Sequence, residues 1–192
     1  RMATDGGEAW KLTDAKENVS CYSWSPDGSR VAYVATDPRS AAEEADVKKR
    51  DDERVFEGDF RFAHPWIIDA NTKEATRITE GTQWTVQGAP SWSPDGRQFT
   101  FAAATTPMLR DNRRDVFIAD IAARKVDKIS TNWGNDGAPR WSQDGATIAW
   151  VSEPNTTSPL PDGTAAGVVM QQRLMLYDVK AKTIKETLTP GF

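Results

Sequence analysis

Ser23-Trp-Ser-Pro-Asp-Gly28, Ser91-Trp-Ser-Pro-Asp-Gly96 and Arg140-Trp-Ser-Gln-Asp-Gly145 are three copies of one hexapeptide. Each copy leads into a short apolar or aromatic run: Val31-Ala-Tyr-Val-Ala35, Gln98-Phe-Thr-Phe-Ala102 and Thr147-Ile-Ala-Trp-Val151. Proline pre-sets the backbone for the first corner of a turn, aspartate caps it with its side chain, and glycine accepts the left-handed conformation that closes it. Each copy therefore predicts strand, turn, strand, and Gln143 in place of proline leaves the Asp-Gly pair intact.

Two further strand-like runs follow each hairpin. Pro65-Trp-Ile-Ile-Asp69 precedes Ala75-Thr-Arg-Ile-Thr79, Asp115-Val-Phe-Ile-Ala-Asp120 precedes Val126-Asp-Lys-Ile-Ser130, and Arg173-Leu-Met-Leu-Tyr-Asp178 precedes Thr183-Ile-Lys-Glu-Thr-Leu188. The unit is thus four strands. Trp24 and Trp92 are 68 residues apart and Trp92 and Trp141 are 49 apart, so the first unit carries about 19 extra residues, located in 37–61.

Four short antiparallel strands per unit, with a tryptophan and an Asp-Gly turn at fixed positions, point to the blades of a β-propeller. A β-sandwich is the rival, but a sandwich needs no sequence repeat, whereas stacked blades reuse the same packing residues. The expected fold is all-β: about three four-stranded antiparallel blades plus one leading strand. The expected boundaries are a blade over 19–80 with a charged insertion at 37–61, a blade over 86–131, and a blade over 137–189. Ala9-Trp-Lys-Leu-Thr13 matches the ends of the fourth strands, so 1–14 is read as the last strand of a preceding blade and the chain as part of a larger propeller.

Composition narrows the function classes. The longest apolar runs are strand-length, well short of the roughly 18–20 residues of a membrane-spanning helix. Twenty-four basic against 28 acidic residues give a net charge of -4 with no basic stripe, which argues against nucleic acid as a partner. Cys21, the single cysteine, has no internal disulfide partner.

The Trp-Ser-Pro-Asp-Gly repeats resemble those of TolB and of the propeller in prolyl-oligopeptidase family serine peptidases, the acylaminoacyl-peptidase and dipeptidyl-peptidase branch in particular. The peptidase side of this resemblance is carried by Lys48-Lys-Arg-Asp-Asp-Glu-Arg-Val-Phe-Glu-Gly-Asp-Phe-Arg-Phe62 leading into Trp66-Ile-Ile-Asp69, with Leu12-Thr13 and Ala3-Thr-Asp-Gly-Gly-Glu8. It is similar to the charged insertion that those peptidases carry between two strands of an early blade. The resemblance implies a propeller that restricts access to a separate α/β-hydrolase domain acting on short peptides. The partners it implies are that domain, further blades of the parent chain and, indirectly, a peptide. The alternative is a TolB-like propeller acting as a protein-protein interaction module.

The chain itself holds no hydrolase machinery. There is no Gly-x-Ser-x-Gly elbow, and the only histidine, His64, lies at the start of a strand, where a structural role is expected. Glu43-Glu44 and Asp51-Asp52 lie beside Lys48, Lys49 and Arg50, which reads as a solvated charged segment. No metal or cofactor set is expected, because no Cys/His cluster has zinc spacing and no Asp-x-Asp-x-Asp loop suggests calcium.

The structural repeat residues are then Trp24, Asp27 and Gly28, Trp92, Asp95 and Gly96, and Trp141, Asp144 and Gly145, with the three tryptophans expected between blades. In up-and-down blades the Asp-Gly turns share one face, and the longer links after each second strand share the other. That second face carries 37–61, 105–114 and 153–172, and its candidate partner-contact residues are Trp84, Trp133, Arg110, Arg113 and Arg114. Three blades fall short of the usual four to eight, so open apolar faces are expected to drive self-association or to be covered in a larger ring.

Overall fold

Ser25 and Asp27 explain why the first hexapeptide turns where it does. In the computed structural model, which describes residues 6–49, 61–108, 113–131, 135–153 and 172–187, the Ser25 hydroxyl donates to Asp27 Oδ1 at 2.5 Å and accepts the Arg30 amide at 2.9 Å. Asp27 Oδ1 in turn accepts the Ser29 amide at 3.1 Å, and Gly28 adopts φ 68°. The same circuit recurs with Ser93, Asp95 and Gln98, and with Ser142, Asp144 and Thr147. The serine is thus as much a part of the turn as the aspartate and glycine.

These turns organise three four-stranded antiparallel sheets. The first holds β1 (Val19–Trp24), β2 (Arg30–Thr36), β3 (Ala63–Asp69) and β4 (Ala75–Arg77). The second holds β5 (Thr85–Trp92), β6 (Gln98–Ala104), β7 (Arg114–Asp120) and β8 (Lys125–Lys128), and the third β9 (Asn135–Trp141), β10 (Thr147–Glu153), β11 (Arg173–Asp178) and β12 (Thr183–Thr187). Strand order within each sheet follows chain order. Every first strand shifts register against its partner, at Val19/Cys21 in β1 and around Gly-Ala-Pro90 and Gly-Ala-Pro139 in β5 and β9. A proline fits there because a bulge interrupts the ladder that would need its missing amide.

Alternation along the strands gives each sheet two unlike faces. At the first junction Ala32, Val34 and Ile67 of the first sheet meet Phe99, Phe101 and Phe117 of the second. At the second junction Val116 and Ile118 meet Ile148, Trp150 and Met175. At both junctions the preceding sheet contributes aliphatic side chains, and the following sheet brings the aromatic ones among further aliphatics. Trp92 is buried and its Nε1 donates to the Ser23 carbonyl across the first junction at 3.1 Å. Arg30 crosses the same junction, donating to the Gly96 carbonyl at 2.7 Å with its guanidinium 5.2 Å from the Trp92 ring centre.

Three details add to the expected architecture. Trp24 is 42% exposed on the outer face of the first sheet. Residues 9–13 carry no strand pairing among the described residues. Their packing does follow the repeat, since Leu12 sits against Val31, Tyr33, Ala35 and Ile68 as Ile78 sits in the first junction and Ile129 in the second. Finally, the charged segment contains a helix, α1 (Ala41–Lys49). Ser40 and Glu43 start it with reciprocal hydrogen bonds, each side chain accepting the other's amide. Residues 3–5 and 50–60 of the resemblance-bearing stretches lie outside the described residues.

Candidate functional site

The long loop of the first sheet is rooted in a buried polar cluster. Asp37 follows β2 and its amide donates to the Phe62 carbonyl at 2.8 Å, drawing the two ends of the insertion together. His64, in β3, is fully buried; its Nδ1 shares a 2.7 Å hydrogen bond with Thr79 Oγ1, and its Nε2 lies 3.3 Å from Asp37 Oδ2. Arg77 completes the group. Its Nη2 is 3.1 Å from Asp37 Oδ1, and its Nε donates to the Thr79 carbonyl at 2.7 Å.

Hydroxyl, imidazole and carboxylate thus stand in the order of a hydrolytic relay, yet the arrangement lacks what such a relay requires. Thr79 is 3% exposed, so no substrate carbonyl can approach its oxygen. Burial first, and the Arg77 charge second, hold His64 below the ordinary histidine value, with Asp37 opposing them. The imidazole is neutral at pH 7, and Arg77 compensates Asp37. The cluster therefore works as an anchor that ties the ends of β2, β3 and β4 to the root of the insertion.

The second sheet repeats the device with other residues. Asp115 occupies the position of His64 and is buried; Ser130 Oγ donates to its Oδ1 at 3.1 Å and accepts the Val116 amide at 3.0 Å. Lys128 Nζ stands 2.7 Å from Asp115 Oδ2. The sequence does carry a signal for these anchors: His64 and Asp115, like Thr79 and Ser130, are separated by 51 residues, so both partners recur at one blade position.

The candidate contact residues are dispersed. Trp84 is half-buried and lies 5.3 Å from the Phe117 ring, taken up in the first junction. The Arg114 amide and Nε both donate to Asn135 Oδ1, at 3.2 and 3.0 Å, locking the second sheet to the third. Arg113 is exposed. Arg110 and Trp133 lie outside the described residues. Trp141, half-buried in the second junction, has no acceptor for its Nε1 among the described residues. The equivalent carbonyl, that of Ser91, already accepts the Thr100 hydroxyl at 3.3 Å.

Among the described residues no group of three or more His, Cys, Asp or Glu side chains is placed to hold a metal ion. Two concavities flank residues 12–17 on the outer face of the first sheet. One of about 350 Å³ lies between Leu12 and Thr13 and the residues Tyr22, Trp24 and Tyr33. The other, of about 300 Å³, is floored by Tyr33 and Trp66 and rimmed by Lys16, Glu17 and Lys73.

This stack of radially repeated sheets recurs in solved structures. TolB from Acinetobacter baumannii superimposes with a TM-score of 0.60 at 20% identity, covering 99% of this chain and 37% of that one. Dipeptidyl peptidase 4 from Porphyromonas gingivalis gives 0.59 at 17% identity over 97% of this chain and 29% of that one. The β-propeller domain of the trilobed protease from Pyrococcus furiosus gives 0.56 at 17% identity over 91% and 45%. The three sheets are propeller blades. No family model matches the chain. In sequence the propeller is 30% identical over 121 residues to the uncharacterized peptidase YuxL of Bacillus subtilis, covering 55% of this chain and 18% of that protein. The chain thus spans less than a fifth of that relative's length and under half of each of these three structures.

Proposed function

We propose that this chain is the non-catalytic propeller portion of a serine peptidase, restricting the approach of substrates to a separate α/β-hydrolase domain that acts on short peptides. The observation that carries this reading is the 30% identity over 121 residues to the peptidase YuxL. The likeness of its blades to those of two peptidases supports it. In this reading the face bearing the links after each second strand meets the hydrolase domain or lines the peptide path. A rigid root serves that task, because a screen that excludes folded proteins must hold its shape while short peptides pass. The anchors at His64 and Asp115 provide it on two blades.

A TolB-like propeller acting in protein-protein binding is the second reading, favoured by the 99% coverage of this chain on TolB. The intact gene product separates the two. Labelling by a fluorophosphonate that reacts with activated serines, on a species several times longer than 192 residues, is the expected result. A product without label and made only of propeller repeats would transfer the assignment to the TolB-like reading. Within a labelled enzyme, alanine at Arg110 and Arg113 is expected to alter selectivity for peptide length. Unchanged selectivity and assembly would remove this face from the substrate path.

A further inference from the structure

His64 is a titratable side chain sealed where three strand ends of the first blade meet. The groups that face it come from every element around it. Asp37 Oδ2, just past β2, lies 3.3 Å from its Nε2, and the Thr79 hydroxyl, just past β4, lies 2.7 Å from its Nδ1. Arg77 in β4 and Glu80 beyond it act on the ring through their charges. The next sheet adds a neutral hydroxyl, Thr85 Oγ1, which accepts the Ala63 amide at 3.1 Å. Asp37 is already compensated, since Arg77 Nη2 stands 3.1 Å from its Oδ1 and 3.4 Å from its Oδ2. Glu80 is exposed, where water and salt screen it.

Counting charge, Asp37, Arg77 and a neutral imidazole sum to zero. An imidazolium would add one positive charge in a buried site beside a guanidinium. Nε2 has no hydrogen-bond partner among the described residues, so the approach of Asp37 does not offset that charge with a well-aligned bond. We propose that His64 makes this root an acid-released latch: proton uptake by the imidazole parts the strand ends at Asp37 and Phe62 while the rest of the three blades stays folded. The closed root excludes a proton that the open root, with a hydrated imidazole, accepts near the ordinary histidine value of about 6.5. Below that pH each further unit favours opening by up to about tenfold, the dependence expected of one proton. What comes loose is the 2.8 Å bond from the Asp37 amide to the Phe62 carbonyl, with the Ala63 amide beside it. The second blade's anchor of Asp115, Ser130 and Lys128 contains no imidazole and stays shut. The latch goes beyond the proposed function: it belongs to the propeller under either reading, and its failure would leave both standing.

Amide hydrogen exchange followed by NMR on the whole chain tests it, with the imidazole signal read in the same samples. From about pH 7.5 to about pH 5.5, protection factors at Asp37 and Ala63, corrected for intrinsic exchange rates, should fall by up to about tenfold. Protection at Val116, whose amide is held by Ser130, should stay level. His64→Gln, which keeps a neutral hydrogen-bonding side chain, should lose the dependence on pH. Arg77→Gln removes the like charge and leaves Asp37 to stabilise an imidazolium. In that variant, whatever its basal opening, acid should no longer lower protection. Level protection at Asp37 and Ala63 in the wild type overturns the proposal, as does an undiminished fall in either variant. A fall shared by Val116 also overturns it, because the whole fold would then be loosening rather than this root.

Discussion

Ser25, Ser93 and Ser142 each accept a strand amide while donating to an aspartate, so a single hydroxyl holds both sides of its turn. Alanine at Ser93 leaves the Gln98 amide and the Asp95 carboxylate without that partner. The expected loss is about 1–2 kcal/mol of unfolding free energy, measurable as a lower urea midpoint. The serine hydroxyl, followed by Ser29, also holds Asp27 at about 2, and Ser93 and Ser142 push Asp95 and Asp144 in the same direction. Carboxylates depressed by folding contribute stability above their unfolded value near 4, and that contribution fades as the pH falls through 4 towards 2. Asn at Asp27, Asp95 and Asp144 together should flatten stability between pH 5 and pH 2; an unaltered slope would place the acid sensitivity elsewhere. His64 has the opposite chemistry and the same outcome. As a base held below its unfolded value near 6.5, it stabilises the fold above that pH and loses its contribution as pH drops further. It is the only histidine, so one imidazole signal in an NMR titration reports it unambiguously. A midpoint at or above 6.5 would contradict the buried, neutral placement.

At the scale of elements, the third-to-fourth strand turns form a second repeat. Asp69, Asp120 and Asp178 accept amides of the turns that follow them, and four residues on, Lys73, Arg124 and Lys182 adopt φ 62°, 50° and 55°. A side chain in that left-handed conformation costs about 1 kcal/mol relative to glycine. Glycine at Lys73 is therefore expected to raise Tm by about 2–4 °C for a chain of this size, after a smaller loss to unfolded-state entropy. A fall in Tm would show that the lysine side chain holds the turn. Strands were legible in the sequence because turn chemistry and apolar alternation agree three times over. Helix α1 was not, since Ala41–Lys49 has no apolar stripe to give it away, and only the Ser40 to Glu43 spacing marks its start. The anchor was legible only in part. His64 stands out as a single residue, but Asp37, Arg77 and Thr79 reach it from the ends of three separate segments, which only strand pairing brings together.

For the whole molecule, the question is what makes three sheets behave as one body, since a sheet alone buries neither face and only the second is covered on both. The first junction offers a specific answer: Arg30 reaches across it to the Gly96 carbonyl and covers Trp92, whose indole reaches back to Ser23. If these contacts couple the sheets, their energies cannot be independent. Arg30→Ala should cost about 1–2 kcal/mol, since it removes a charged hydrogen bond and a cation–π contact together. A double-mutant cycle with Trp92→Phe should return a coupling of about 0.5–1 kcal/mol, while a cycle with Trp141→Phe, at the other junction, should be additive within about 0.5 kcal/mol. Loosening one junction of a stack in which each blade touches only its neighbours should also broaden the unfolding transition, as the first sheet begins to melt apart from the other two. Additivity in both cycles, with an equally sharp transition, would mean that the aromatic and aliphatic packing alone couples the blades, and that Arg30 only decorates the junction it spans.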